Sequence, residues 1–304
     1  MDFKIIIDDT FLNLGLGEDL DPIHNKALVS ILNDFENGAW REEKFINFVL
    51  DNIAETALSH KEREALQSQS GTQLRQAAKN LRLTDSEGDV GKGSELAEIV
   101  LYGVMKHKYK ALPVVPKIFY KQNTQDPAKG ADSVHIIIND DGKFTLWFGE
   151  AKFYNSIEDT RLDSIVQSIE HALTIEKLKK ENSIITNVSD IDTLDIEPAI
   201  RKQIKASLDY KNSIDELKSI INIPILLLHE CKLTAAATEM SAKYIDDIKD
   251  FHKDRAESYF KKQIAALKEL HKYSELNFHL ILFPVPEKKP IVQKFLEFVR
   301  AFKG

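Results

Sequence analysis

The run Ile221-Asn222-Ile223-Pro224-Ile225-Leu226-Leu227-Leu228-His229-Glu230-Cys231-Lys232 does most to narrow what this chain can fold into. It is apolar almost without alternation, the pattern of a strand covered on both faces, as in a sheet sandwiched between helices. The stretch from Phe278 to Val285 has the same character. Around these runs the apolar spacing becomes helical: Thr160 to Lys180 with Leu162, Ile165, Val166, Ile169, Leu173 and Leu178, then Asp246 to Tyr273, then Ile291 to Phe302. Strands and helices thus alternate after residue 90. The expected fold is α/β (α+β), with a mixed central β-sheet flanked by helices.

Ahead of this core, Phe3 to Ile7 reads as an opening strand, and Pro22 to His60 as helical, divided at Asn37-Gly38. A polar segment ending in Asp85-Ser86-Glu87-Gly88-Asp89 suggests a join between a mostly helical N-terminal region, 1–90, and a core, 91–304. Gly15-Leu16-Gly17 lacks the further glycine and Gly-Lys-Ser/Thr of a phosphate-binding loop, so no nucleotide cofactor is expected on this chain. The single cysteine excludes a disulfide framework within the chain and a Cys-rich zinc site. No apolar stretch reaches the length of a membrane span, and the start, Met1-Asp2-Phe3-Lys4, lacks the basic opening of a signal peptide. A cytoplasmic protein without membrane contact is expected.

Chemistry concentrates between Gly130 and Tyr154. Two arms rich in β-branched and aromatic residues flank Asn139-Asp140-Asp141-Gly142, residues that tolerate the backbone angles of a tight reversal. In the second arm, Phe-Gly-Glu150-Ala-Lys152-Phe-Tyr, alternation puts Glu150 and Lys152 on one face, about 7 Å apart along the strand. Folding the hairpin back brings Asp132, at the start of the first arm, into the same neighbourhood. Two carboxylates suit Mg²⁺ (or Mn²⁺), which keeps several waters and binds through one or two carboxylates plus substrate phosphate. A lysine beside them can orient the attacking water and stabilise charge on the phosphate. The constellation is that of metal-dependent phosphodiester hydrolysis, on DNA or on RNA.

The net charge of −7 argues against a charge-driven nucleic-acid binder. Either basic residues gather locally, with Lys106, Lys108, Lys110, Lys117, Lys121 and Lys129 as candidates, or a partner does the gripping. A second Glu-x-Lys, Glu230-Cys231-Lys232, is set aside because no aspartate on a hairpin partner strand precedes it. His229 and Cys231 are too few for a metal site.

Asp132 followed by Glu150-Ala-Lys152 resembles the PD-(D/E)xK nuclease superfamily, the restriction-endonuclease-like fold, with Ala131 where the proline of that name stands. By this resemblance Asp132 and Glu150 would hold the metal and Lys152 would assist water attack. An acid on the helix before the hairpin would complete the metal site: Glu98 first and Glu95 second, both on the helix expected over 91–110. Some members carry a glutamine on the following helix that orients water or nucleic acid, here Gln167. The order of the hairpin, the strand at Pro224 to Glu230, the Leu-Ile-Leu-Phe-Pro-Val strand and the closing helix is further similar to the HamA family, the small subunits of Hachiman anti-phage defence systems. That similarity implies a DNA nuclease of little sequence specificity, held by a helicase-like partner subunit, with residues 1–90 a candidate for the partner contact. The alternative is a catalytically silent subunit of such a complex, binding nucleic acid or acting as a scaffold.

Overall fold

A computed structural model describes residues 1–81, 94–120, 131–187, 189–194, 196–209 and 211–303. The segment around Asp85–Asp89, with Lys121, Lys129 and Gly130, lies outside these residues.

The central element is a seven-stranded mixed sheet in the order β1-β2-β9-β8-β7-β6-β5. Its strands are β1 (Lys4–Thr10), β2 (Lys26–Leu32), β5 (Leu112–Val115), β6 (Ser133–Ile138), β7 (Phe144–Tyr154), β8 (Ile221–Glu230) and β9 (Asn277–Val285). A separate two-stranded hairpin pairs β3 (Phe35–Glu36) with β4 (Ala39–Trp40). β2, β9, β8 and β7 run parallel, and antiparallel pairs close both ends of the sheet. β8 lies in the middle of the order and its residues are buried up to His229, as its unbroken apolar run requires. β5, with Pro113 in it, takes an edge, where a missing backbone donor costs no ladder bond.

Helices cover both faces. On one side the helices Glu42–Ala57, Ser94–Lys108 and Lys288–Lys303 pack Phe45, Val49, Leu101 and Phe295 against Trp147, Ala151, Leu226 and Phe283 of the sheet. On the other, the helices Asp159–Ala172 and Ala242–Leu267 pack Leu162, Ile165, Tyr259 and Phe260 against Leu146, Ile225 and Leu280.

Three local expectations change. Lys26–Leu32, read as helical, is strand β2, paired with β1 and β9. A run this short, apolar from Ala27 to Leu32 except at Ser30, fits either period, so its neighbours in space decide its conformation. Asn37-Gly38 is not a helix break but the turn between β3 and β4, with φ of 50° and 76°. Both are left-handed angles that Asn and Gly accept. The expected helix over 160–180 is two, Asp159–Ala172 and Ile175–Asn187. Through β1 and β2 the sheet runs without a break from the N-terminal region into the rest of the chain.

Candidate active site

The hairpin β6–β7 forms as its residues require. Asn139 and Lys143 close the turn through N–H to carbonyl at 2.8 Å, and Gly142 sits at φ 76°. The ladder pairs Ile138 with Phe144 and ends on Ser133 opposite Gly149. Past that point the Asp132 N–H donates to the Gly149 carbonyl at 2.7 Å, and the Asp132 carboxylate accepts the Ala151 N–H at 3.1 Å. Asp132 is thereby fixed beside the two residues that flank Ala151. The Lys152 ammonium is ion-paired with Glu150 Oε1 and lies 3.6 Å from Asp132 Oδ2. Asp132, Glu150 and Lys152 therefore meet at the mouth of the hairpin.

Glu150 is 6% exposed and points toward the helix Asp159–Ala172, where the Ser168 hydroxyl donates to its Oε1 at 2.5 Å. Burial pushes the Glu150 carboxyl above its ordinary value, Asp132 adds to this, and Lys152 and Ser168 offset part of it. For Lys152 burial works to lower the ammonium, but the Asp132 and Glu150 carboxylates overcome it and raise it above its ordinary value. The two directions agree physically: one ammonium serves two carboxylates, and the more deeply buried carboxylate carries the larger desolvation cost.

Glu98, 7% exposed, approaches from the opposite face of the sheet. It lines a small pocket together with Asp132, Ser133, Thr56, Tyr102 and Lys117. Glu95, half-buried in the first turn of the same helix, is not part of that lining. Asp132 thus stands between Glu150 on one side and Glu98 on the other. Among the described residues no three His, Cys, Asp or Glu side chains converge into a metal cluster. The hard oxygens of Asp132 and Glu150 nevertheless fit Mg²⁺, which asks for one or two carboxylates and fills the rest of its shell with water.

Gln167 is exposed, and the neighbouring Ser168 makes the contact with Glu150. The signal for Ser168 was present only in register: it lies one position from Gln167, on the face that Leu162, Ile165 and Ile169 turn toward the sheet. Lys117 is buried and ion-paired with Glu181 at 2.5 Å, which removes it from any phosphate-contacting surface. Lys106 pairs with Glu55 and Lys108 with Asp8, each at 2.7 Å, so these two lysines are also neutralised within the chain. The second Glu-x-Lys is divided: Glu230 accepts the N–H of Lys288 at 2.8 Å, capping the last helix, while the exposed Lys232 opens a short helix.

Gly149 is required by the crowding at this junction. A Cβ there would lie 2.2 Å from Ser133 Oγ and 2.7 Å from Leu101 Cδ2. Gly149→Ala is expected to destabilise the chain by about 1–3 kcal/mol, read as a lower urea midpoint at unchanged slope. Ser133→Ala, by removing the nearer clash, is expected to return part of that loss in the double variant. An unaltered midpoint in Gly149→Ala would show that the junction is looser than these distances require.

Among the described residues no helix is long and apolar enough to cross a membrane. A family model described as HamA matches residues 6–299 of the chain. No curated protein matches it.

Proposed function

The chain belongs to the HamA family, and on that premise we propose that it is a divalent-metal-dependent nuclease. It would hydrolyse DNA phosphodiester bonds with little sequence specificity, as the effector of an anti-phage defence complex that includes a helicase subunit. A defence role fits the family membership. The observation that carries the nuclease reading is the meeting of Asp132, Glu150 and Lys152 at one end of the β6–β7 hairpin.

In this reading Asp132 and Glu150 hold Mg²⁺, with Glu98 the next acid within reach of Asp132 through their shared pocket. When bound, the ion supplies a more acidic water and neutralises charge on the scissile phosphate. The protein groups do the rest. Ser168 fixes the Glu150 carboxylate in orientation from the facing helix. Lys152 keeps its proton, because two carboxylates stabilise the ammonium, and so offers positive charge to a developing phosphorane oxygen. The main-chain N–H of Ala151 holds the Asp132 carboxylate in place without needing a side chain to move. DNA engagement is assigned to the partner, consistent with the net charge of −7 and with the lysines spent inside the chain.

One observation favours a second reading, a catalytically silent scaffold: the Lys152 ammonium already serves both carboxylates as a cation would. The two separate in one assay. Purified chain with its helicase partner is expected to degrade plasmid DNA in Mg²⁺ and to stop in excess chelator. DNA left intact in every combination of chain, partner and metal, with RNA equally intact, would put the scaffold first.

A further inference from the structure

We propose that Glu181 is a positioning residue for Asp132, an inference that rests on the nuclease reading of the same site. Pairing of β5 with β6 stops at Val115 opposite Val134, so the backbone just before Asp132 leaves the ladder on that side. There the Glu181 carboxylate, from the helix Ile175–Asn187, accepts the N–H of Ala131 at 3.0 Å through Oε1. Its other oxygen takes the Lys117 ammonium at 2.5 Å. Asp132 is then gripped from both sides: its own N–H and carboxylate are tied to β7, and the preceding amide is tied to Glu181. The ion pair also spans the site, since Lys117 lines the pocket of Asp132 and Glu98 while Glu181 lines the cleft that holds Glu150.

Burial makes this arrangement informative. Glu181 is 2% and Lys117 3% exposed. Apolar residues of similar volume usually serve stability as well as a buried ion pair, or better. What they cannot supply is an acceptor for the Ala131 N–H at the root of the catalytic strand. Glu181 supplies that acceptor, and Lys117 offsets its charge.

Two neutral double variants of the full chain isolate the acceptor. Lys117→Met with Glu181→Met removes it, whereas Lys117→Met with Glu181→Gln keeps a carboxamide oxygen in its place. Both are measured with the helicase partner for kcat and KM on plasmid DNA, and by hydrogen–deuterium exchange over residues 131–134. The Met pair is expected to fold, to lose roughly 10- to 100-fold in kcat with KM little changed, and to lose protection at Ala131. The Gln variant is expected to restore kcat to within about threefold of wild type and to keep the protection. A folded Met pair with wild-type kcat, or a Gln variant as impaired as the Met pair, overturns the proposal. Should wild type itself cut no DNA, the nuclease reading falls and exchange alone decides the clamp. Protection lost with Met and kept with Gln sustains it, and equal protection in both overturns it.

Discussion

Glu150→Ala and Lys152→Ala proteins, each folded, are expected to lose metal-dependent cleavage of plasmid DNA by on the order of 10²–10³-fold or more, the usual consequence of removing one charge-stabilising group from a preorganised site. For Glu150 the reason is positional. Its carboxylate is 6% exposed, receives Ser168 and Lys152, and lies beside Asp132, so no neighbouring side chain can substitute for its oxygens. In Glu150→Ala the half-exposed Lys152 can turn to solvent or stay near Asp132, which explains why the fold should survive. Lys152→Ala removes the ammonium that offsets two carboxylates, and leaves the buried Glu150 hydrogen-bonded to Ser168 with the like charge of Asp132 beside it. The control is Glu230→Ala in the other Glu-x-Lys. It removes the acceptor for Lys288 N–H at the start of the last helix and should cost about 1 kcal/mol of stability while leaving cleavage intact. Cleavage by Glu150→Ala or Lys152→Ala at the wild-type rate would remove this hairpin from the chemistry.

Where sequence sufficed, a local rule and the three-dimensional arrangement coincide. The turn Asn139–Gly142 and the alternation in Phe144–Tyr154 establish the hairpin and hence the company of Asp132, Glu150 and Lys152. The unbroken run at Ile221–Glu230 establishes a central strand. Where sequence fell short, the deciding contact lies between elements distant in the chain. β2 is a strand because β1 and β9 flank it, and nothing in Lys26–Leu32 alone says so. Ser168 and Glu181 are ordinary helical polar residues until their helices are laid on the sheet, when one meets Glu150 and the other the amide of Ala131. Lys117, by charge a candidate phosphate contact, becomes an internal counter-ion for the same reason. Alternation along a strand was enough to find the residues that meet at the site. The residues that hold them required the packing of layers.

Acidification from pH 7 to 5 is expected to lower the unfolding free energy by about 5 kcal/mol through three histidines alone, a large part of what a typical domain possesses. Burial holds His135 at about 3, His229 at about 4 and His279 at about 4, against about 6.5 in an unfolded chain. A folded-state value below the unfolded one means that the unfolded chain binds the extra protons. Stability is therefore full above pH 6.5 and is lost as pH falls through 6.5 toward 4. The contacts give the same sign. The Glu230 carbonyl can only accept, so His229 Nδ1 donates to it at 3.1 Å, His252 Nε2 donates to His229 Nε2 at 3.2 Å, and the Ser30 hydroxyl donates to His252 Nδ1 at 2.6 Å. This relay is complete with both rings neutral; an extra proton would have to reverse the His252 tautomer or the Ser30 hydroxyl and would leave a cation on a fully buried pair. His135, on the strand that begins at Ser133, has neither ring nitrogen hydrogen-bonded among the described residues and lies 5.2 Å from the Tyr102 ring. An imidazolium there would be a buried charge without a counter-ion. His135→Phe keeps the ring volume and removes the titration, so it is expected to be no less stable than wild type at pH 7 and to retain about 2 kcal/mol more at pH 5. Urea unfolding at pH 7, 6 and 5 measures both quantities. Equal midpoints for wild type at pH 7 and 5 would mean that these histidines reach water or a partner in the folded chain, and parallel losses in wild type and His135→Phe would assign the acid sensitivity to His279 and the His229–His252 pair instead.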